Sequence, residues 1–300
     1  MHVLVTGGAG FIGSHSVEAL LEAGAEVTVL DNFSAGKRSN LPADAKLRVV
    51  EGDIRDTTSV ERAMMGVDRI LHLAAQVSVR ASVDEPVLSA SHNVTGFLNV
   101  ANAARRSGAL RFVYASSAAV YGAPHALPLD EESVCEPLSP YGLEKLVNDQ
   151  YAALFGQLYG TSTLGLRYFN VYGPRQDPAS PYAGVISRFA SRLAGDEPLK
   201  VFGDGQQTRD FIFVKDVARA NVAALRSTFN GVLNVGTGSS VSLLELIETL
   251  GACAGRTPVV HFDPPAPGDI RHSAMRPNRI REALGFVAKT KLRDGLRTLV

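Results

Sequence analysis

The chain has 300 residues, 45% of them apolar and 20% charged, with 30 Lys and Arg set against 30 Asp and Glu. This composition excludes a disordered chain, offers no basic footprint for nucleic acid, and leaves length for a large core and about two domains. No apolar run is long enough to span a membrane and no leader precedes the first apolar strand. Cys135 and Cys253 have neither metal-ligand nor disulfide-framework spacing, so a cytoplasmic protein is expected.

In chain order, HVLVT (2–6) reads as a first strand that runs into TGGAGFIGS (6–14) and opens a helix near 11–23. Glycines let the backbone turn sharply and approach a pyrophosphate, whose charge then sits at the helix N-terminus. The strand-before, helix-after context gives the Gly7, Gly10 and Gly13 spacing its meaning. EVTVLD (26–31) is a second strand ending in Asp31. A carboxylate there can accept both hydroxyls of an adenosine ribose and repels a 2′-phosphate, favouring NAD over NADP. LRVVEGD (47–53) follows, and Asp53 stands where an acid could bond an adenine amino group or simply cap the strand end. A helix near 57–65, a strand RILHLAA (69–75), a helix near 86–107 and a strand LRFVYASS (110–117) come next. A helix near 140–159 and a strand STLGLRYF (162–169) close the regular alternation.

Strands apolar on both faces, alternating with helices, predict an α/β fold of Rossmann type: a doubly wound parallel sheet covered on both sides. The expected domains are 1–169 for the dinucleotide and 170–300 for a smaller α/β substrate-binding part. Segments near 215–240 are expected to pack back on the first domain. The second part reads as a Pro/Gly/Ser-rich loop (172–184), a helix near 185–194 and strands near 199–202 and 209–214. A helix near 215–227, a strand at 232–236 and a helix near 241–251 follow.

SPYGLEK (139–145) raises the chemical question. Ser139 can cap a helix and Pro140 suits its first turn. Tyr141 and Lys145 are then one turn apart on one face. An ammonium beside a phenol favours phenolate, and a bound pyridinium would pull further, which makes Tyr141 a candidate general base. Ser116 and Ser117 end the fifth strand at the carboxyl side of the sheet, where such folds bind ligands. A serine there can hold a substrate hydroxyl and pass its proton to the tyrosine.

These motifs resemble the extended short-chain dehydrogenase/reductase family, the NAD-dependent nucleotide-sugar epimerases and dehydratases. The resemblance rests on TGGAGFIG, Asp31, GDI, HLAA (72–75), the Ser117 segment and Tyr141–Lys145. It continues through HNVTG (92–96), RYFNVYGPRQ (167–176), SPYAGVIS (180–187), VFGDGQQTRDFIFVKDV (201–217), LNVGTG (233–238) and PGDIRHS (267–273). It is closest to the branch that epimerises UDP-hexoses at C4. The resemblance implies a catalytic set of Ser117, Tyr141 and Lys145. It implies an NAD site lined by Gly7, Gly10, Phe11, Ile12, Asp31, Asn32, Ser34, Asp53, Ile54, Leu73, Ala74, Ala75, Asn93, Ser116, Tyr141, Lys145 and Tyr168. Asn170, Val185, Arg209 and Asp269 would hold the UDP part, with Arg209 as a forked donor to the diphosphate. A homodimer through the helices near 86–107 and 140–159 is also implied.

Dehydratase and decarboxylase relatives carry acids after the hydroxyl residue of the fifth strand; here Ala118 and Ala119 stand there and can move no proton. The DEE run at 130–132 reads as a solvated acidic turn. Epimerisation is therefore expected, through a transient 4-keto sugar, with UDP-glucuronate epimerisation or another NDP-sugar activity as alternatives and an NAD-binding regulator as the non-enzymatic one. In the resembling enzymes, the fourth residue after the GD aspartate faces the sugar C2 side. Here that residue is Ser273, small enough to admit an N-acetyl group, so UDP-GlcNAc and UDP-GalNAc are expected beside UDP-Glc and UDP-Gal. Two positions depart from the pattern. Ala266 replaces a common arginine, with Arg271 or Arg188 as possible substitutes, and Met275–Arg276 replaces a small residue followed by Asp.

Overall fold

The computed structural model describes residues 1–124, 126–179, 184–265 and 270–300. Its first six strands are β1 (His2–Thr6), β2 (Glu26–Asp31), β3 (Leu47–Glu51), β4 (Arg69–His72), β5 (Arg111–Ser117) and β6 (Thr163–Tyr168). The remaining six are β7 (Asn170–Tyr172), β8 (Leu199–Phe202), β9 (Thr208–Phe213), β10 (Gly231–Val235), β11 (Ser240–Ser242) and β12 (Val260–Asp263). Seven strands form one parallel sheet in the order β10-β6-β5-β4-β1-β2-β3. Strand β1 lies between β2 and β4, so the chain winds outward in opposite directions from it and leaves a crevice at the strand carboxyl ends.

Both faces of this sheet are buried, which explains the near-continuous apolar strands. Along β1 the side chains alternate: Val3 and Val5 join one core with Val17, Leu20 and Val217, and Leu4 joins the other with Phe97, Val100 and Phe112. Each fully buried Val or Leu contributes about 2 kcal/mol relative to exposure. Helix Val214–Arg226 packs against helix Phe11–Glu22, where Asn221 bridges the Ser16 hydroxyl (2.9 Å) and the Tyr168 hydroxyl (2.7 Å). The buried Arg111 guanidinium donates to the Ala224 and Phe229 carbonyls at the end of that helix and ties β10's approach to β5.

A second core gathers Ile186, Phe189, Leu199, Phe211, Leu246 and Leu250, around a three-stranded sheet β11-β9-β7 and a parallel pair β12-β8. The short strands β7, β11 and β12 and the helices Asn278–Leu284 and Leu292–Leu296 were not anticipated; each is seven residues or fewer, too short for a periodic pattern to stand out. The helix expected near 86–107 is broken into Pro86–Ala90, a π-helical turn Ser91–Thr95 and Gly96–Ser107, and a short unanticipated helix, Val79–Asp84, precedes it. The Asn93 carbonyl in that turn accepts a hydrogen bond from Asn148 (3.0 Å), which diverts it from the regular ladder.

Candidate active site

The glycine turn is fitted to its neighbours by backbone contact. Gly7 has φ of +69°, and a Cβ there would lie 2.7 Å from the Ala74 nitrogen. A Cβ on Gly13 would stand 2.0 Å from the Gly7 carbonyl oxygen. Gly10 starts helix Phe11–Glu22 with no side-chain cap and no acid in the first turn, so the amides of Phe11 and Ile12 face the crevice for an anion to meet. Asp31, at the end of β2, accepts from Ala9 N and Phe33 N (both 2.9 Å), so the carboxylate that faces the crevice also holds the turn in shape. Beside it Asn32 donates to Asp53 (3.0 Å) and accepts from Ser34 N and its hydroxyl. Arg55 grips Asp53 bidentately (2.9 and 2.8 Å), and these bonds hold the carboxyl well below the usual carboxylate range. Asp53 is thus a bonded hub of this cluster and more than a strand-end cap. Ile54 is buried beneath it.

On the other side of the crevice, β4 ends at His72, leaving Leu73, Ala74 and Ala75 as a turn past the strand. Leu73 N donates to Thr6 O (3.1 Å) and Ala74 N to the Thr6 hydroxyl (3.2 Å). Asn93 clamps the next residue: its Oδ1 accepts from Gln76 N and its Nδ2 donates to Gln76 O (both 2.8 Å). Asn93 therefore serves the crevice by shaping its wall. Tyr168 lies beside Ser117 in register, but its buried hydroxyl is committed to Asn221.

The Tyr141 helix, Pro140–Tyr159, begins as expected: the Ser139 hydroxyl accepts from Gly142 N (3.1 Å) and Pro140 occupies the first turn. Tyr141 N donates to the Ser82 hydroxyl (3.1 Å), fixing the helix start. The Ser117 hydroxyl stands close enough to the Tyr141 phenol to lower its pKa, and Lys145 Nζ lies 5.7 Å from the phenol ring centroid. Ser117 also accepts from Ala119 N (3.1 Å), and Lys145 donates to Ala115 O (3.1 Å). Burial pushes the Tyr141 phenol up, while the neighbouring Ser117 hydroxyl pulls it down and the nearby Glu144 charge pushes it up again. Lysine alone therefore does not make it a phenolate here; a further positive charge in the crevice is needed. Burial brings Lys145 down to about 8 against the opposing pull of Asp149 and Glu144.

Behind this pair runs a buried polar network that sequence reasoning missed. Asp149, one turn beyond Lys145, pairs with Arg167 (3.0 Å) and lies against the hydroxyls of Tyr114 and Ser116. Arg167 donates to the Tyr121 hydroxyl (2.9 Å), which donates to Asn234 (2.7 Å). Glu131 accepts from Asn234 N (2.7 Å) and is buried, which corrects the reading of DEE as a solvated turn at that one residue, while Glu132 stays exposed. The spacing Tyr141, Lys145, Asp149 and the lone charge of Arg167 inside an apolar strand were the signals available.

The second part of the crevice is formed by β7, β9 and the chain after residue 270. Asn170 donates to Asp210 O (3.1 Å), and Arg209 in β9 is half-buried and donates to Thr208 O (2.9 Å). Val185 opens helix Val185–Ala194. Ser273 is half-buried, and its N–H donates to Thr208 O (3.0 Å). Asp269 and Ala266 lie outside the described residues. Arg271 forms a bidentate pair with Asp204 (2.8 and 2.7 Å), and Arg188 is exposed. Met275 is buried with Val120, Tyr121 and Leu129, and Leu129 N donates to Ala274 O (2.8 Å); the departure at 275 fastens the Ser273 segment to the loop between Ser117 and Tyr141.

Comparison with known proteins bears on this geometry. The sequence model of the NAD dependent epimerase/dehydratase family matches residues 3–236. A protein of Methanocaldococcus jannaschii described as a putative UDP-glucose 4-epimerase is 41% identical over 99% of this chain and 97% of its own length. The UDP-N-acetylglucosamine 4-epimerase from Methanobrevibacter ruminantium, solved with UDP-N-acetylmuramic acid, superposes with a TM-score of 0.96 at 38% identity, covering 99% of this chain and 96% of that one. The Thermus thermophilus UDP-glucose 4-epimerase, solved with NAD, gives 0.92 at 41% identity, covering 100% and 97%.

Proposed function

As the chain belongs to the NAD-dependent epimerase/dehydratase family, we propose that it inverts C4 of a UDP-hexose, with NAD as its resident cofactor. The residues present fit that cofactor: a Cβ would fill the cradle at Gly7, the first helix is left uncapped toward the crevice, and Asp31 closes the ribose end. When bound, NAD supplies the acceptor and donor of hydride that carry C4 through a 4-keto sugar. The chain's own residues do the rest. Ser117 receives the sugar 4-hydroxyl and relays its proton to Tyr141, and Lys145 holds the positive charge beside the phenol. Proton return from Tyr141 completes the inversion. Asn170, Val185, Arg209 and Asp269 hold the UDP part, so that the sugar can turn while the diphosphate stays anchored.

The observation that carries this reading is the meeting of Ser117, Tyr141 and Lys145 at the carboxyl ends of β5 and β6, with Ala118 and Ala119 in place of acids. Dehydration needs a proton donor beside C6, and alanine is none. Ser273 leaves room at the sugar C2 side, which supports N-acetylated substrates beside UDP-Glc and UDP-Gal. The test is Tyr141→Phe: NAD should stay bound while turnover falls by about a hundredfold or more. Turnover near that of the unaltered protein would refute the base assignment.

We further place residues 1–169 with the cofactor and 170–300 mainly with the substrate, the stretch near 215–240 belonging with the first. A homodimer is proposed through the exposed Leu143, Leu154 and Leu158 of the Tyr141 helix and the adjacent exposed Val83, Val87 and Leu88. Among the described residues no helix is long and apolar enough to cross a membrane. The two unpaired cysteines suit the reducing cytoplasm, where we place its work.

A further inference from the structure

Glu144 sits between Tyr141 and Lys145 in sequence, on the inner side of their helix, and is buried. Nothing in the mechanism above uses it. A buried carboxylate must be hydrogen-bonded or paired to persist. One of its oxygens, Oε2, accepts from the Ser89 hydroxyl (2.9 Å) and from Asn93 Nδ2 (2.6 Å). Both donors are neutral. Asn93 in turn holds both backbone polar groups of Gln76, the residue that follows the Leu73–Ala75 turn. The carboxylate thus selects which end of the Asn93 amide faces the helix, and the amide fixes the crevice wall.

We propose that Glu144 is a positioning residue of the epimerisation: it couples the cofactor-binding turn to the Tyr141 helix through Asn93, and its charge sets the pH range in which Tyr141 and Lys145 work. The inference rests on the Tyr141–Lys145 reading above. Its physics is one of sign. A negative charge beside both groups makes each hold its proton more tightly. The same direction is seen for Tyr141 and for Lys145. Lys145 also meets His72 from β4 and Asp149 on the same helix, and Asp149 in turn meets Arg167 from β6 and Tyr114 of β5. His72 is buried and kept neutral, bonded to the Thr6 hydroxyl (2.8 Å), and Asp149 is already paired with Arg167. Glu144 has no such cationic clamp among its two donors, so its charge acts on the catalytic pair.

The test is Glu144→Gln in the NAD-loaded protein. Gln keeps an oxygen for Ser89 and Asn93 and loses the charge. Turnover of UDP-galactose against pH should keep its shape while both limbs move to lower pH by about 1 unit. Tyrosinate absorbance at 295 nm, taken as the difference from the same protein carrying Tyr141→Phe, should move the same way. A lowered rate with limbs and tyrosinate titration unmoved would make Glu144 a packing residue and overturn the proposal. If Glu144→Gln does not fold, Glu144→Asp decides: with charge kept and reach shortened, the rate should fall with the limbs in place, and moved limbs would overturn the proposal. Failure of the underlying reading looks different, because Tyr141→Phe would then leave turnover unchanged.

Discussion

Lys145→Met should stabilise the empty fold and disable the enzyme. The lysine is 3% exposed, and burial brings its ammonium from an ordinary 10.5 to about 8. At about 1.4 kcal/mol per pH unit, holding it charged at pH 7 costs the fold about 3 kcal/mol. Methionine fills a similar volume without that cost. It forfeits the hydrogen bond to Ala115 O, worth about 1 kcal/mol, so a net gain of about 2 kcal/mol remains at pH 7. The sign with pH follows from the lowered value. The unfolded chain holds this proton more tightly, so the penalty is complete below about 8 and disappears as pH climbs toward 10.5. The assay is urea unfolding of cofactor-free protein and variant, side by side from pH 7 to pH 10.5, taking only the difference between them so that other titrations cancel. The variant should lead at pH 7 and lose its lead above pH 8, while turnover falls by about a hundredfold or more. A variant less stable at pH 7, or a gap that ignores pH, would refute the account of Lys145 as a strained functional charge.

Two other substitutions probe the crevice. Gly7→Ala places a Cβ against the Ala74 nitrogen in a left-handed conformation; together these cost about 3 kcal/mol, and NAD affinity measured by calorimetry should fall about a hundredfold. An affinity within twofold of the unaltered protein would contradict the cradle. Ser273→Tyr should cut conversion of UDP-GalNAc by about a hundredfold while sparing UDP-galactose; equal losses on both sugars would remove Ser273 as the gate.

The fold was legible where both sheet faces are buried, since β1, β2 and β5 show it as plain apolar runs, and the glycine spacing gained its meaning from the strand before it. What stayed hidden depends on pairs far apart in sequence. The spacing of Asp149 and the lone charge of Arg167 hint at burial, but only the folded helix and β6 bring them to 3.0 Å. Glu131 reads as solvent-facing beside two other acids, yet Asn234 N, 103 residues away, draws it inward. The break at Asn93 is tied to Asn148 on another helix, which donates to the Asn93 carbonyl. Tyr141 shows the limit of local reasoning about chemistry. Lys145 stands beside its ring, but burial and Glu144 push the phenol up, and that balance exists only in the folded chain.

The most direct test of the central claim is anomer-resolved NMR of the purified protein, with no NAD added and then with NAD, mixed separately with UDP-galactose and UDP-GalNAc. The account predicts that both sugars give their C4 epimers. No C4 inversion of either sugar, even with NAD supplied, would contradict it.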